Sequence, residues 1–159
     1  MALSIDYKLT GPGWAECTIA DGEQSCTVTA SYLSDAFGDL VLSAVALLRW
    51  FYALSFSFAE EPGEFRWVFT CKSNNEIELK ILDCYDRDRD WPPDEECKLL
   101  FQTVFTREMF GNAVLEAGNN LLEEYGEAGY LDKWMDHAFP TDRLNEVAQL
   151  LREMPPADE

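Results

Sequence analysis

Between residues 36 and 54 the chain is apolar apart from Gly38, Asp39, Ser43 and Arg49, and stretches of period-two alternation flank it on both sides. Ser34 is placed to cap a helix over residues 34–53, and Asp35 complements the positive end of its dipole. A helix apolar nearly all round must be covered on more than one side. It therefore lies between a sheet and other helices, or gives one face to a second subunit. The longest apolar stretch, residues 40–54, interrupted by Ser43 and Arg49, is shorter than the ~20 residues that a membrane span requires.

The alternation before this run predicts a meander. Leu3, Ile5, Tyr7 and Leu9 share one face of a strand, which Gly11-Pro12-Gly13 ends. Asp21-Gly22 is a strong hairpin signal between residues 14–20 and 23–30. A two-residue loop at that pair would set Cys17 opposite Cys26 and Ala15 opposite Val28. After the helix, Phe56 and Phe58 alternate with serines, and Pro62-Gly63 has the chemistry of a type II turn. Folding about it would set Phe58 against Trp67 and Phe56 against Phe69. Ser73-Asn74-Asn75 makes the next turn, and Ile77, Leu79 and Ile81 return along the sheet. A polar excursion over residues 86–96 precedes a last strand, 97–105, apolar on both faces and so expected to be covered on both.

The C-terminal third reads as helical. Thr106 caps a helix, Phe105 and Phe110 fit a hydrophobic staple, and Gly126 ends it. A short helix around residues 130–136 follows, then one capped by Thr141 and stopped by Pro155-Pro156. The sum is a single α+β domain over residues 1–159. Its mainly antiparallel sheet has six or seven strands, is interrupted by one long buried helix, and carries the C-terminal helices.

Charge narrows the partners. Thirty Asp and Glu against twelve Lys and Arg give a net charge of −18, yet 13% of residues are aromatic, so this is a folding chain and no acidic tail. Such a surface repels nucleic acid and anionic membrane and attracts basic proteins. The N-terminal sequence lacks a basic start and apolar stretch, which with five scattered cysteines points to reduced thiols in a cytoplasm.

Motifs for catalysis or metals are weak. Asp86, Asp88 and Asp90 match the first ligands of a calcium loop, but Trp91 stands where glycine is needed and Cys97 where the closing Glu would be. No two cysteines have zinc spacing, and His137 is the only histidine, read as a dipole complement at a helix end. Adjacent acids such as Glu60-Glu61, Glu95-Glu96 and Glu123-Glu124 diverge, as solvated pairs do. No catalytic residue, metal ligand or cofactor is assigned.

Three stretches, Gly13-Trp14-Ala15-Glu16-Cys17, residues 29–36 (TASYLSDA) and residues 60–67 (EEPGEFRW), resemble a group of uncharacterised bacterial proteins of similar length. The resemblance implies a bacterial cytoplasmic setting and carries no activity.

The leading functional reading is a non-enzymatic acidic binding protein: an immunity protein or inhibitor that neutralises a basic partner such as a nuclease toxin. Its contact surface would join Asp86, Asp88, Asp90, Asp94, Glu95 and Glu96 of the loop to Glu116 and Glu123 of the following helix. A homodimer through apolar surface near residues 36–54 or the C-terminal helices is also expected. The alternatives are a small-ligand domain with Trp67, Phe69 and Trp134 around its pocket, or an enzyme of unfamiliar type.

Overall fold

A computed structural model describes residues 2–85, 87–89 and 91–155. The order is β1 (Ser4–Gly11), β2 (Trp14–Ala20), β3 (Ser25–Ser31), α1 (Ala36–Leu48), β4 (Ala53–Ala59), β5 (Glu64–Ser73), β6 (Glu76–Asp83) and β7 (Lys98–Thr106). Helices α2 (Arg107–Trp134) and α3 (Thr141–Glu153) follow, with a single 3-10 turn, Asp94–Glu96, just before β7. The fold is α+β and every strand pairing is antiparallel.

The strands do not form one sheet. They form two, β1-β2-β3 and β4-β5-β6-β7. Helix α1 stops at Leu48, six residues short of the apolar run's end, and the chain reverses through Trp50, whose φ is 68°. The last apolar residues of the run are thereby spent on β4. Edge strands β3 and β4 meet only near one end, where the Ala59 N–H donates to Ser34 Oγ at 3.0 Å and the Thr29 hydroxyl to Glu60. Ser34 is therefore not the cap of α1. Asp35 is, accepting from the Gly38 N–H.

Both outer hairpins close one residue away from the expected turn. Asp21 N–H donates to Gln24 O, so the loop is Gly22-Glu23, with Gly22 supplying φ +94°. Asp21 instead folds its carboxylate over the turn and accepts from the backbone of Glu23 and Gln24. In the other hairpin Glu60 N–H donates to Gly63 O, the loop is Glu61-Pro62, and the Glu61–Pro62 peptide is cis. Register moves by two in each case. Cys17 pairs with Val28 and Cys26 with Ile19; Phe56 pairs with Trp67 and Phe58 with Phe65. A shift of two keeps every side chain on its face. Cys17, Ile19, Cys26 and Val28 stay buried, and Phe56, now opposite Trp67, stacks on it at 5.6 Å.

Strand β7 also departs from expectation. It buries Phe101, Thr103 and Phe105 but exposes Leu99 and Val104. A bulge lies between the pairs Ile81–Phe101 and Leu82–Leu99. The polar connection before it is fastened by a Cys84–Cys97 disulfide, Cα atoms 4.7 Å apart, so the expectation of five reduced cysteines fails there. Cys17, Cys26 and Cys71 are unpaired thiols. The spacing rule looked for close cysteines, whereas β6 and β7 bring these two together across thirteen positions.

The C-terminal reading holds in outline. Thr106 caps α2 by accepting from Met109 N–H, and Phe105 stacks on Phe110 at 5.5 Å. Gly126 breaks α2 at φ 68°, ψ 173°. At α3, Thr141 is no cap: its hydroxyl donates to Glu127 and Pro140 holds the cap position without a side-chain bond. The buried residues of both sheets and all three helices form one core. Trp67, Phe69 and Trp134 lie inside it at 0% exposure.

Candidate functional site

Alternation along β5 decides where the acidic connection goes. Trp67 and Phe69 point into the core, so Arg66, one residue before Trp67, points to the outer face of the four-stranded sheet. There its guanidinium donates to Pro92 O at 2.8 Å, Asp94 Oδ1 at 2.6 Å and Glu64 Oε1 at 2.7 Å, with the Trp91 ring centred 5.7 Å away. This clamp seats the connection on the outer face. Helix α2 lies on the opposite one, because Phe110 packs on Phe69 and Phe105. The sheet separates the two groups of acids that the sequence reading joined into one surface.

Among those acids, Asp94 is engaged by Arg66 and Glu96 by Arg89. Asp88 is exposed, as is Glu95, which has no cationic partner among the described residues. Asp86 and Asp90 lie outside the described residues. Glu116 and Glu123 are exposed on α2, seven residues and so almost two full turns apart on one face, with Glu124 beside them. No ion pair among the described residues reaches Glu116 or Glu123. The loop is thus partly self-neutralised, and the uncompensated charge sits on the helix.

His137 does not end a helix. It lies three residues beyond Trp134 and faces the start of α1. Burial pushes the Asp35 carboxyl up, and burial together with the Asp35 charge pushes Asp39 up to about 6, while His137 pulls both the other way. Among the described residues, none bonds the buried hydroxyls of Tyr7 and Tyr130. An Asp whose folded pKa is raised costs stability when ionised. That cost is present above pH 6, fades as pH falls through 6, and is gone below the unfolded value of 3.8. Asp39→Asn should therefore raise stability by about 1 kcal/mol at neutral pH, after discounting for solvent screening. The gain should vanish near pH 4, and urea titrations of both proteins at the two pH values read it out. Parallel pH profiles for the two proteins would contradict the placement of Asp39.

A feature the sequence reading missed is the groove between α1 and β4. Its volume is about 460 Å³, and Leu42, Ala46, Phe51, Leu54 and Phe56 line it. Two acids, Asp39 and Glu146, and two arginines, Arg49 and Arg143, stand on its rim. Glu146 accepts from Arg49 at 2.7 Å and from Arg143 at 2.8 Å, which holds its carboxyl below the usual range. The signal for it was present: β4 is a strand without a charged residue in a very acidic chain.

Among the described residues no cluster of His, Cys, Asp and Glu could hold a metal ion, and no helix is long and apolar enough to cross a membrane. No protein-family model, curated protein or solved structure matches this chain.

Proposed function

We propose that this chain is a non-enzymatic binding protein that neutralises a basic macromolecule, as an immunity protein or inhibitor does for a nuclease toxin. The observation that carries the reading is the exposed, uncompensated pair Glu116 and Glu123 on the outer face of α2, in a chain of net charge −18. A fixed row of carboxylates on a helix steers a cationic partner into place and gives fast, salt-sensitive association. The loop acids contribute less, since Asp94 and Glu96 already satisfy arginines of this chain. A cytoplasmic setting belongs to this reading, and the Cys84–Cys97 bond pulls against it because cytoplasmic thiols are kept reduced.

The test starts from the protein that the tagged chain retains at low salt and releases at high salt. Its association rate with wild type should fall steeply as salt rises. The double variant Glu116→Lys, Glu123→Lys should associate about tenfold more slowly and with a flatter salt slope, while keeping the wild-type melting temperature. Equal rates for the two proteins refute the reading, as does turnover of a substrate by the purified chain. Asp94 is unsuitable for this experiment, because reversing it would break the Arg66 clamp.

A further inference from the structure

The four-stranded sheet has two edges, and the chain treats them differently. At β7 the edge is bulged, begins with Lys98, and is covered by the Asp21 hairpin: Gln24 Nε2 donates to Gln102 O at 2.7 Å and the Thr103 hydroxyl to Asp21 Oδ2 at 2.7 Å. These are the devices that keep an edge from pairing. Strand β4, Ala-Leu-Ser-Phe-Ser-Phe-Ala, has no charge, no proline and no bulge. Donation from Glu60 N–H to Gly63 O and from Cys71 N–H to Tyr52 O shows that even-numbered residues turn their backbone groups toward β5. The N–H and C=O groups of Ala53, Ser55 and Ser57 therefore point outward. Among the described residues nothing bonds them, whereas Ala59, next in the row, is closed off by Ser34.

We infer that a second copy of this chain covers this edge, the two β4 strands pairing antiparallel about a two-fold axis at Ser55. The inference is independent of the proposed toxin-neutralising role. Since Ser34 blocks Ala59, the open segment is centred on Ser55, and a two-fold there sets Ser55 opposite its counterpart and Ala53 opposite Ser57. All three outward residues then fall at hydrogen-bonded positions, each N–H meeting a carbonyl of the other copy. Leu54 of each copy meets Phe56 of the other over the groove, so the half-buried groove floor is covered. Charge selects the occupant. A basic segment would find its complement on the acidic surfaces, not beside an uncharged strand. Two −18 protomers, by contrast, can approach only where charge cancels locally, as Asp39 and Glu146 cancel Arg49 and Arg143 on this rim. Pairing would fuse the two four-stranded sheets into one continuous sheet.

Sedimentation of the full chain from about 1 to about 100 µM, at roughly 150 mM salt where charges are screened beyond about 8 Å, tests this. The expected result is a monomer–dimer equilibrium. The amides of Ala53, Ser55 and Ser57 should gain protection from hydrogen exchange as concentration rises. Ser55→Lys places two ammonium groups face to face across the axis on an exposed position, and should abolish the dimer with circular dichroism unchanged. Wild-type protein that stays monomeric at the highest concentration overturns the inference. So does a dimer whose β4 amides exchange freely, or one that the folded Ser55→Lys variant forms equally well. Protection of those amides only when an extended peptide of another protein is added would assign the edge to a partner instead, and overturn it too.

Discussion

Replacing Arg107 by methionine should lower the free energy of unfolding by about 3–5 kcal/mol, the largest single effect expected of any polar residue in the chain. Arg107 opens α2 and is 1% exposed. Its guanidinium donates to Leu47 O at 2.7 Å, Phe51 O at 2.9 Å and Asn74 O at 3.1 Å, and lies 4.7 Å from the centre of the Trp50 ring. None of its ion-pairing distances involves a carboxylate among the described residues. Backbone carbonyls balance the charge instead. Leu47 belongs to the last turn of α1, whose carbonyls lack helical partners and form the negative end of the dipole. One side chain thus ties the end of α1, the reversal into β4 and the β5–β6 turn to the start of α2. Methionine fills similar volume but removes three charged hydrogen bonds, at about 1–3 kcal/mol each before relaxation. One is to the buried Leu47 carbonyl, which keeps the Trp50 N–H, and two are to the part-buried carbonyls of Phe51 and Asn74. For a chain of this size the melting temperature should fall by about 10 °C. Lysine should restore only part of the loss, since a single ammonium cannot span carbonyls that a planar fork reaches together. A methionine variant within about 1 kcal/mol of wild type, by urea or thermal unfolding, would show that the fork is not what fixes this corner.

Phe110→Ala should cost about 3–5 kcal/mol by a different route. The ring is fully buried, stacked on Phe105 at 5.5 Å and edge-on to Phe69 at 5.1 Å, so it is the main anchor of α2 on the four-stranded sheet. Truncation removes apolar burial and leaves a cavity whose rigid aromatic walls collapse poorly. Leucine at the same site should cost less, on the order of 1.5 kcal/mol, because it refills most of the volume. Equal losses for alanine and leucine would mean that ring stacking, and not volume, carries the contact.

These two sites differ in how visible they were. Phe110 stands five residues after Phe105 across a threonine cap, and a staple is written in adjacent positions, so the sequence reading found it. Arg107 directly follows the Thr106 cap, yet nothing local distinguishes it from a solvated arginine. Its partners come from residues 47, 51 and 74. The candidate surface divides the same way. Acidity and the exposure of Glu116 and Glu123 follow from composition and helical period. The neutralisation of Asp94 does not, because Arg66 lies 28 positions away and reaches it only once β5 is in a sheet.

In the strands whose apolar residues strictly alternate, local periodicity was enough to determine which face is buried, and it did so even where the turns moved; β7, apolar on both faces, gave no such signal. Both hairpins slid register by two, and a two-residue slip leaves Cys17, Val28, Phe56 and Trp67 on the sides that alternation assigned them. Capping at Thr106 and the break at Gly126 were likewise settled within a few residues. Only the tertiary structure decided that seven strands divide into two sheets, that β4 is an open edge while β7 is covered, and that Cys84 meets Cys97. The reason is physical. Side-chain direction along a strand or helix repeats every two or 3.6 residues, whereas the neighbour of an edge depends on how distant elements compete to cover one core.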